Sequence, residues 1–209
     1  DSAIEVIASA PDPIFAMDKM NSNWPDVIVL DVEMPRMDGL EFLRRLMHLR
    51  PMPVVMVSTL TELGAESTIR ALELGAVDFV AKPRFGLSEG ISELAGQIVE
   101  KIRIAASAHV QRQLGITPSI SIEVKPKPSH NPKNRGQFPT GKVVFIGAST
   151  GGTEAIKEVL KVLPADSPAI AITQHMPAGF TSSFAHRLNA ICKITVSEAI
   201  NGARLLPGH

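Results

Sequence analysis

Two doubly wound parallel-sheet domains of the α/β class are predicted by three features of this 209-residue sequence. Over residues 1–105, short β-branched runs alternate with segments whose apolar residues recur at helical spacing. The same alternation resumes at Lys142. Between the two, residues 106–140 lose all periodicity and fill with Pro, Ser, Asn, Lys and Arg. Strands that alternate with helices imply parallel pairing through helical crossovers, hence helices packed on a sheet.

In chain order, Ile4–Ala8 (IEVIA) reads as a strand and Pro11–Asn21 as a helix with Phe15, Ala16 and Met20 at helical spacing. Asp26–Leu30 (DVIVL) carries an unbroken apolar run, as a strand covered on both faces should. Asp38–Leu49 is amphipathic, with Leu40, Leu43, Leu46 and Met47 on one side. A strand at Pro53–Val57, a helix at Ala65–Leu74 ended by Gly75, a strand at Asp78–Ala81 and a helix near Ser88–Ala106 follow. Residues 106–140 read as an interdomain tether stiffened by prolines. The second domain, 141–209, opens with a strand at 142–147, a helix at 153–162 and a strand at Ala169–Thr173.

Composition narrows the classes further. Hydrophobic residues make up 44% and charged residues 20%, enough for a packed core, and the net charge is zero. A nucleic-acid partner would need a clustered basic surface, and the tether's charges are sparse, with Phe138 alone to stack. No run approaches the roughly 20 apolar residues of a membrane span, so no membrane insertion is expected, and no signal peptide is visible. Cys192, the single cysteine, cannot form an internal disulfide and fits a buried thiol in a reducing, cytoplasmic compartment. The chain begins at Asp1 rather than at methionine.

In the first domain, three chemical groups fall at the carboxyl ends of strands, where open parallel sheets bind ligands. These are Asp31 after DVIVL, the hydroxyls of Ser58 and Thr59 in VVMVSTL, and Lys82 in FVAKP. Singly each is weak, because strand-end aspartates cap helices and lysines are commonly solvated. Together they can hold a phosphoryl group: the carboxylate attacks, and hydroxyl and ammonium bind its oxygens. The stretches LDVEMPRMDGLEFL, VSTL and GAVDFVAKP closely resemble the receiver domain of bacterial two-component response regulators, over about residues 1–105. The resemblance implies Asp31 as phosphoacceptor and Ser58 and Lys82 as phosphoryl-sensing groups. It also implies Mg²⁺ held by Asp31 and the backbone carbonyl of Glu33. Lys82–Pro83 is a candidate cis peptide. Receivers begin with a strand ending in an acidic pair, and none precedes Ile4. The first strand and helix are therefore expected to be lacking, the sheet to miss an interior strand, and Mg²⁺ to bind poorly.

In the second domain, KVVFIGASTGGTEAI breaks from strand to helix through Gly147–Gly152. A dinucleotide fingerprint needs glycine where Ser149 stands, and a P-loop needs a lysine that does not follow Gly151 or Gly152. Gly147, Ser149 and Gly151 fit G-x-S-x-G, a strand–turn–helix with serine at its apex; a plain glycine-rich connection fits too. The next strand, in SPAIAITQHMP, runs into His175. A right-handed crossover makes the two strands parallel neighbours and brings Ser149 and His175 to one rim, the pairing that serine acyl chemistry requires. Gly151 and Gly152 at the helix N-terminus could hold an oxyanion. Thr150 could donate there or, in the favoured reading, cap the helix. No good third group orients His175: Asp166 lies at the wrong end of the sheet, Glu198 follows a doubtful strand, His186 sits in a helix, and His209 is terminal.

The stretches IGASTGGTEAI, ITQHMPAGFTSSFAHRLN and LLPGH closely resemble the catalytic domain of chemotaxis protein-glutamate methylesterases, in which a receiver precedes the esterase domain across a linker. The resemblance implies Ser149 as nucleophile, His175 as general base and Thr150 in the active-site hydroxyl network, with no cofactor for hydrolysis. It implies glutamate methyl esters of chemoreceptors as substrates, deamidation of certain receptor glutamines, and a chemotaxis histidine kinase as phosphodonor to Asp31. The unphosphorylated receiver would shield the catalytic face. The family's aspartate lies on a later strand, so this chain is expected to be truncated at both ends and itself inert. Residues 141–209 fall short of the roughly 100–150 residues of a typical domain. The alternatives are a response regulator with a non-catalytic binding output, such as a DNA reader, and a dinucleotide- or phosphate-binding module.

Overall fold

The computed structural model describes residues 1–59, 61–82, 88–110 and 142–209. Residues 111–140 of the expected tether, Phe138 among them, and the Lys82–Pro83 bond lie outside these residues, and Ala106, expected to begin the tether, ends the last helix of the first unit. The first unit runs α1 (Pro13–Ser22), β1 (Ile28–Asp31), α2 (Gly39–Leu49), β2 (Val54–Ser58), α3 (Glu62–Glu73), β3 (Asp78–Ala81) and α4 (Ser88–Ala106). Side-chain caps set the helix starts. Asp12 accepts from the N–H groups of Ile14 and Phe15 at 2.9 and 3.2 Å, ahead of Pro13. Asp38 accepts from Glu41 N–H at 2.8 Å, and Thr61 from Gly64 N–H at 2.9 Å. Each satisfies a donor that a helix N-terminus otherwise leaves unpaired. The Thr61 cap starts α3 three residues ahead of the expected Ala65.

The strands pair in parallel in the order β1-β2-β3, with Leu30 opposite Met56 and Val57 opposite Val80. Successive strand residues face opposite sides, and both sides are covered. Val54 and Met56 pack with Met20 of α1, Phe42, Leu43, Leu46 and Met47 of α2, and Ala65 and Leu72 of α3. Val55 and Val80 pack on the other side with Leu94, Ile98 and Ala105 of α4. The strand expected at Ile4–Ala8 does not form. Val6 is 82% exposed, and nearby the backbone bond is the local Ile4 N–H to Asp1 C=O. A strand needs a neighbour's amides and carbonyls to be stable, and among the described residues none lies beside this segment.

The second unit comprises β4 (Val143–Ala148), α5 (Gly152–Val162), β5 (Ala169–Gln174) and α6 (Phe180–Ile191). β4 and β5 are parallel and in register from Val143 opposite Ala169 to Ala148 opposite Gln174. Ile156 and Leu160 of α5 and Phe184 and Leu188 of α6 form one apolar cluster with Ile146, Ile170 and Ile172 of the sheet. Phe145 points away from that cluster and stays exposed. LLPGH docks beside β5: His209 C=O accepts from Ile170 N–H at 2.9 Å, and Gly208 N–H donates to Ser167 C=O at 2.7 Å.

The two units share an interface built on α3 and α6. Ile69 of α3 belongs to the second unit's apolar cluster. Phe180, at the start of α6, is 1% exposed and joins the first unit's core, its ring stacked 4.9 Å from that of Phe79. Arg187 of α6 pairs with Glu73 of α3 through both carboxylate oxygens. Among the described residues, no helix is long and apolar enough to cross a membrane.

Candidate functional site

Asp31 ends β1 and Lys82 follows β3, and the parallel register brings them to one rim. Lys82 Nζ lies 2.5 Å from Asp31 Oδ2, with both side chains about one-third exposed. Asp31 Oδ1 accepts the Glu33 N–H at 3.1 Å. Close beside them Gly39 opens α2, its N–H bonded to Val32 C=O at 2.9 Å. A Cβ on Gly39 would collide with the Asp31 carbonyl oxygen. Here glycine is required by close approach rather than by backbone conformation. Ser58 sits on the same rim but turns away: its hydroxyl, 1% exposed, donates to Gly64 C=O of α3 at 3.1 Å. Thr59 pairs with Thr61 at 3.3 Å between their hydroxyls.

Of the Mg²⁺ ligands expected at Asp31 and Glu33, the Asp31 carboxylate here binds Lys82 through Oδ2 and the Glu33 N–H through Oδ1. Among the described residues, no three His, Cys, Asp or Glu side chains cluster so as to hold a metal ion.

On the second sheet, Ser149 follows the last residue of β4 and His175 the last residue of β5. Ser149 Oγ lies 3.4 Å from His175 Nδ1, and both residues are solvent exposed. The ladder continues one rung beyond the strands, with His175 N–H donating to Ala148 C=O at 2.9 Å. The sharp turn into α5 is taken by Gly151 at φ +74°, so Ser149 itself needs no left-handed backbone. A 3.4 Å approach is loose for proton transfer, yet such contacts commonly tighten when substrate binds. The arrangement can activate a hydroxyl for attack on an acyl carbon.

Other candidates fall elsewhere. Gly152 N–H is used within the turn, donating to Ser149 C=O at 2.7 Å, so it does not face outward as an oxyanion donor. Thr150 does not cap α5, whose N-cap is Gly151 with no side-chain bond. Its hydroxyl instead donates to Asp78 Oδ2 at 2.5 Å, across the interface. Glu198 accepts from Thr181, His186 is exposed on α6, and Asp166 is exposed before β5. His209 Nδ1 lies 3.1 Å from Pro207 C=O. Among the described residues, no carboxylate bonds to His175. Burial pushes the Cys192 thiol up from its ordinary value, which keeps it protonated and a poor nucleophile.

Two residues escape sequence reasoning. Asp78 reads as the polar lead-in to an apolar strand, but it is 7% exposed and also binds Lys101 at 2.8 Å. Gln174 reads as a strand end, but its amide reaches Ser149 C=O at 2.9 Å. For Gln174 the available signal is Gly152, which leaves room for a side chain.

Residues 1–92 match the family model of the response regulator receiver domain, and residues 144–209 match that of the CheB methylesterase. The chain is 60% identical over 211 residues to protein-glutamate methylesterase/protein-glutamine glutaminase 1 of Albidiferax ferrireducens. It is 56% identical over 206 residues to the protein-glutamate methylesterase/protein-glutamine glutaminase of Bordetella parapertussis. Each alignment covers 99% of this chain and 56% of the relative, so the chain spans about half the length of the curated relatives it matches. The solved response regulator domain of Thermotoga maritima CheB is 43% identical, covering 50% of this chain and 78% of its own, with a TM-score of 0.45.

Proposed function

This chain belongs to the receiver-containing protein-glutamate methylesterase family, and from that membership we propose that Ser149 and His175 serve a serine hydrolase of glutamate methyl esters on chemoreceptors. The single observation that carries the reading is the 3.4 Å approach of Ser149 Oγ to His175 Nδ1. His175 takes the hydroxyl proton as Ser149 attacks the ester carbonyl. The tetrahedral oxyanion collapses to an acyl-enzyme, and the imidazolium returns the proton to the leaving methoxide, which departs as methanol. Water, deprotonated by His175, then attacks the acyl carbon, releasing the glutamate carboxyl and restoring the serine hydroxyl. A glutamine side chain enters the same acyl-enzyme with ammonia as the leaving group.

The division of labour is residues 1–105 as receiver, 106–140 as linker and 141–209 as esterase sequence. Asp31 is the phosphoacceptor, its donor a chemotaxis histidine kinase in the cytoplasm, and the Lys82–Asp31 contact supports that role. Regulation acts where the two units touch. Since Ser149 is exposed, the hold exerted by the receiver falls on Thr150 and α6 rather than on the nucleophile itself.

Methanol release from methylated receptor membranes by the full-length polypeptide tests the reading. Ser149→Ala and His175→Ala should each lower the rate by roughly 10⁴-fold or more. Wild-type turnover by Ser149→Ala would overturn it.

A further inference from the structure

We infer that Gln174 is a positioning residue that sets the geometry of Ser149 and His175 through a single side-chain amide; the inference rests on the hydrolase reading above. Gln174 Nε2 donates to the carbonyl of Ser149 at 2.9 Å and to that of His175 at 3.3 Å. One planar group thus ties together the backbones of the two residues whose side chains must meet. Ser149 C=O also accepts the Gly152 N–H at 2.7 Å, so the turn below the hydroxyl is held from the helix side and from the strand side.

The amide's other end defines its orientation. Oε1 is buried without a hydrogen-bond partner among the described residues. A buried acceptor left unpaired costs stability. An apolar side chain of the same length would fill the space without that cost, so stability alone does not account for glutamine here. Turning the amide over would set Oε1 against two carbonyl oxygens, so only the observed orientation is attractive. Gly152 makes room for it. A Cβ there would run into Gln174 Oε1 and come within 2.6 Å of the Ala148 Cβ.

Displacements of about 1 Å between reacting groups can cost roughly 100-fold in rate, and the Ser149–His175 approach is already long at 3.4 Å. The clamp therefore acts on turnover rather than on substrate affinity.

Gln174→Met and Gln174→Glu in the full-length polypeptide test this, with methanol release, thermal melting and the rate at which a fluorophosphonate labels Ser149. Gln174→Met removes the donors without adding charge. Its kcat and labelling rate should fall about 10–100-fold, with KM nearly unchanged and the melting temperature equal or higher. Gln174→Glu places a carboxylate against both carbonyls. It should lose more activity, and because the new carboxylate sits on the residue next to His175, the acid limb of its kcat–pH profile should move upward. Wild-type kcat and labelling in Gln174→Met would overturn the inference. So would a loss matched by an equal loss of folded protein, with the pH profile of Gln174→Glu unmoved. Ser149→Ala, run alongside, separates the two claims: full activity there sinks the hydrolase reading, whatever Gln174 does.

Discussion

Thr150 Oγ1 donates a 2.5 Å hydrogen bond to Asp78 Oδ2, joining the residue after Ser149 to the first residue of β3. Asp78 Oδ1 accepts from Phe79 N–H at 2.7 Å and forms an ion pair with Lys101 Nζ at 2.8 Å. The carboxylate is therefore fully engaged and only 7% exposed. Hydrogen bonds to a charged group contribute about 1.5–3 kcal/mol, so this one contact can hold the Thr150 hydroxyl away from the serine's reaction.

Asp78→Asn keeps the shape of that acceptor and removes its charge. On the proposed function, methanol release without a phosphodonor should rise about 3–10-fold, an effect of roughly 1 kcal/mol. An unchanged basal rate would show that the contact does not restrain the enzyme.

The Arg187–Glu73 pair makes a second, independent tie between α6 and α3. Arg187→Glu should raise basal activity through like-charge repulsion. The swapped double variant Arg187→Glu/Glu73→Arg should recover most of the restraint. Because Arg187 is 41% exposed, the coupling in a double-mutant cycle should be near 1 kcal/mol and shrink in high salt.

Gly39→Ala puts a methyl group against the Asp31 carbonyl, where backbone rather than a flexible side chain stands in the way. Denaturant unfolding should show a loss of about 1–3 kcal/mol. Phosphorylation at Asp31, read as acid-labile label, should fall in the protein that remains folded.

Glu41, in the first turn of α2, forms side-chain hydrogen bonds to Arg44 and Arg45. Those bonds, with Arg44 the larger contributor, hold its carboxyl down at about 2 against an ordinary value of 4.5. A depressed carboxyl stabilises the fold above its unfolded pKa, and that contribution is lost as pH falls toward the folded one. Glu41→Gln should melt slightly lower at neutral pH, and the difference should close between about pH 4.5 and pH 2. A difference that persists at pH 2 would mean the arginines are not the cause.

Much of the architecture was legible because it is local. The run VIVL with its polar end placed Asp31 at a strand terminus, and GASTGG placed Ser149 between strand and helix. Ile4–Ala8 failed for the opposite reason. Its alternation is that of a strand, but a strand is stable only beside another. Thr150 misled in the same way: a threonine before a helix commonly caps it, whereas here a carboxylate from another sheet claims the hydroxyl.

By itself, then, the sequence determined the parallel α/β layout, the strand-end positions of Asp31, Lys82, Ser149 and His175, and the family to which the chain belongs. The tertiary structure alone decided the pairings across the interface. Asp78 and Thr150 are 72 residues apart, and Glu73 and Arg187 are 114 apart. Periodicity reports how a segment buries its own side chains, and it carries no information on which distant segment packs against it. A hydrogen bond forms only where packing brings donor and acceptor within about 3 Å, so these pairings were set by how the helices and sheets dock.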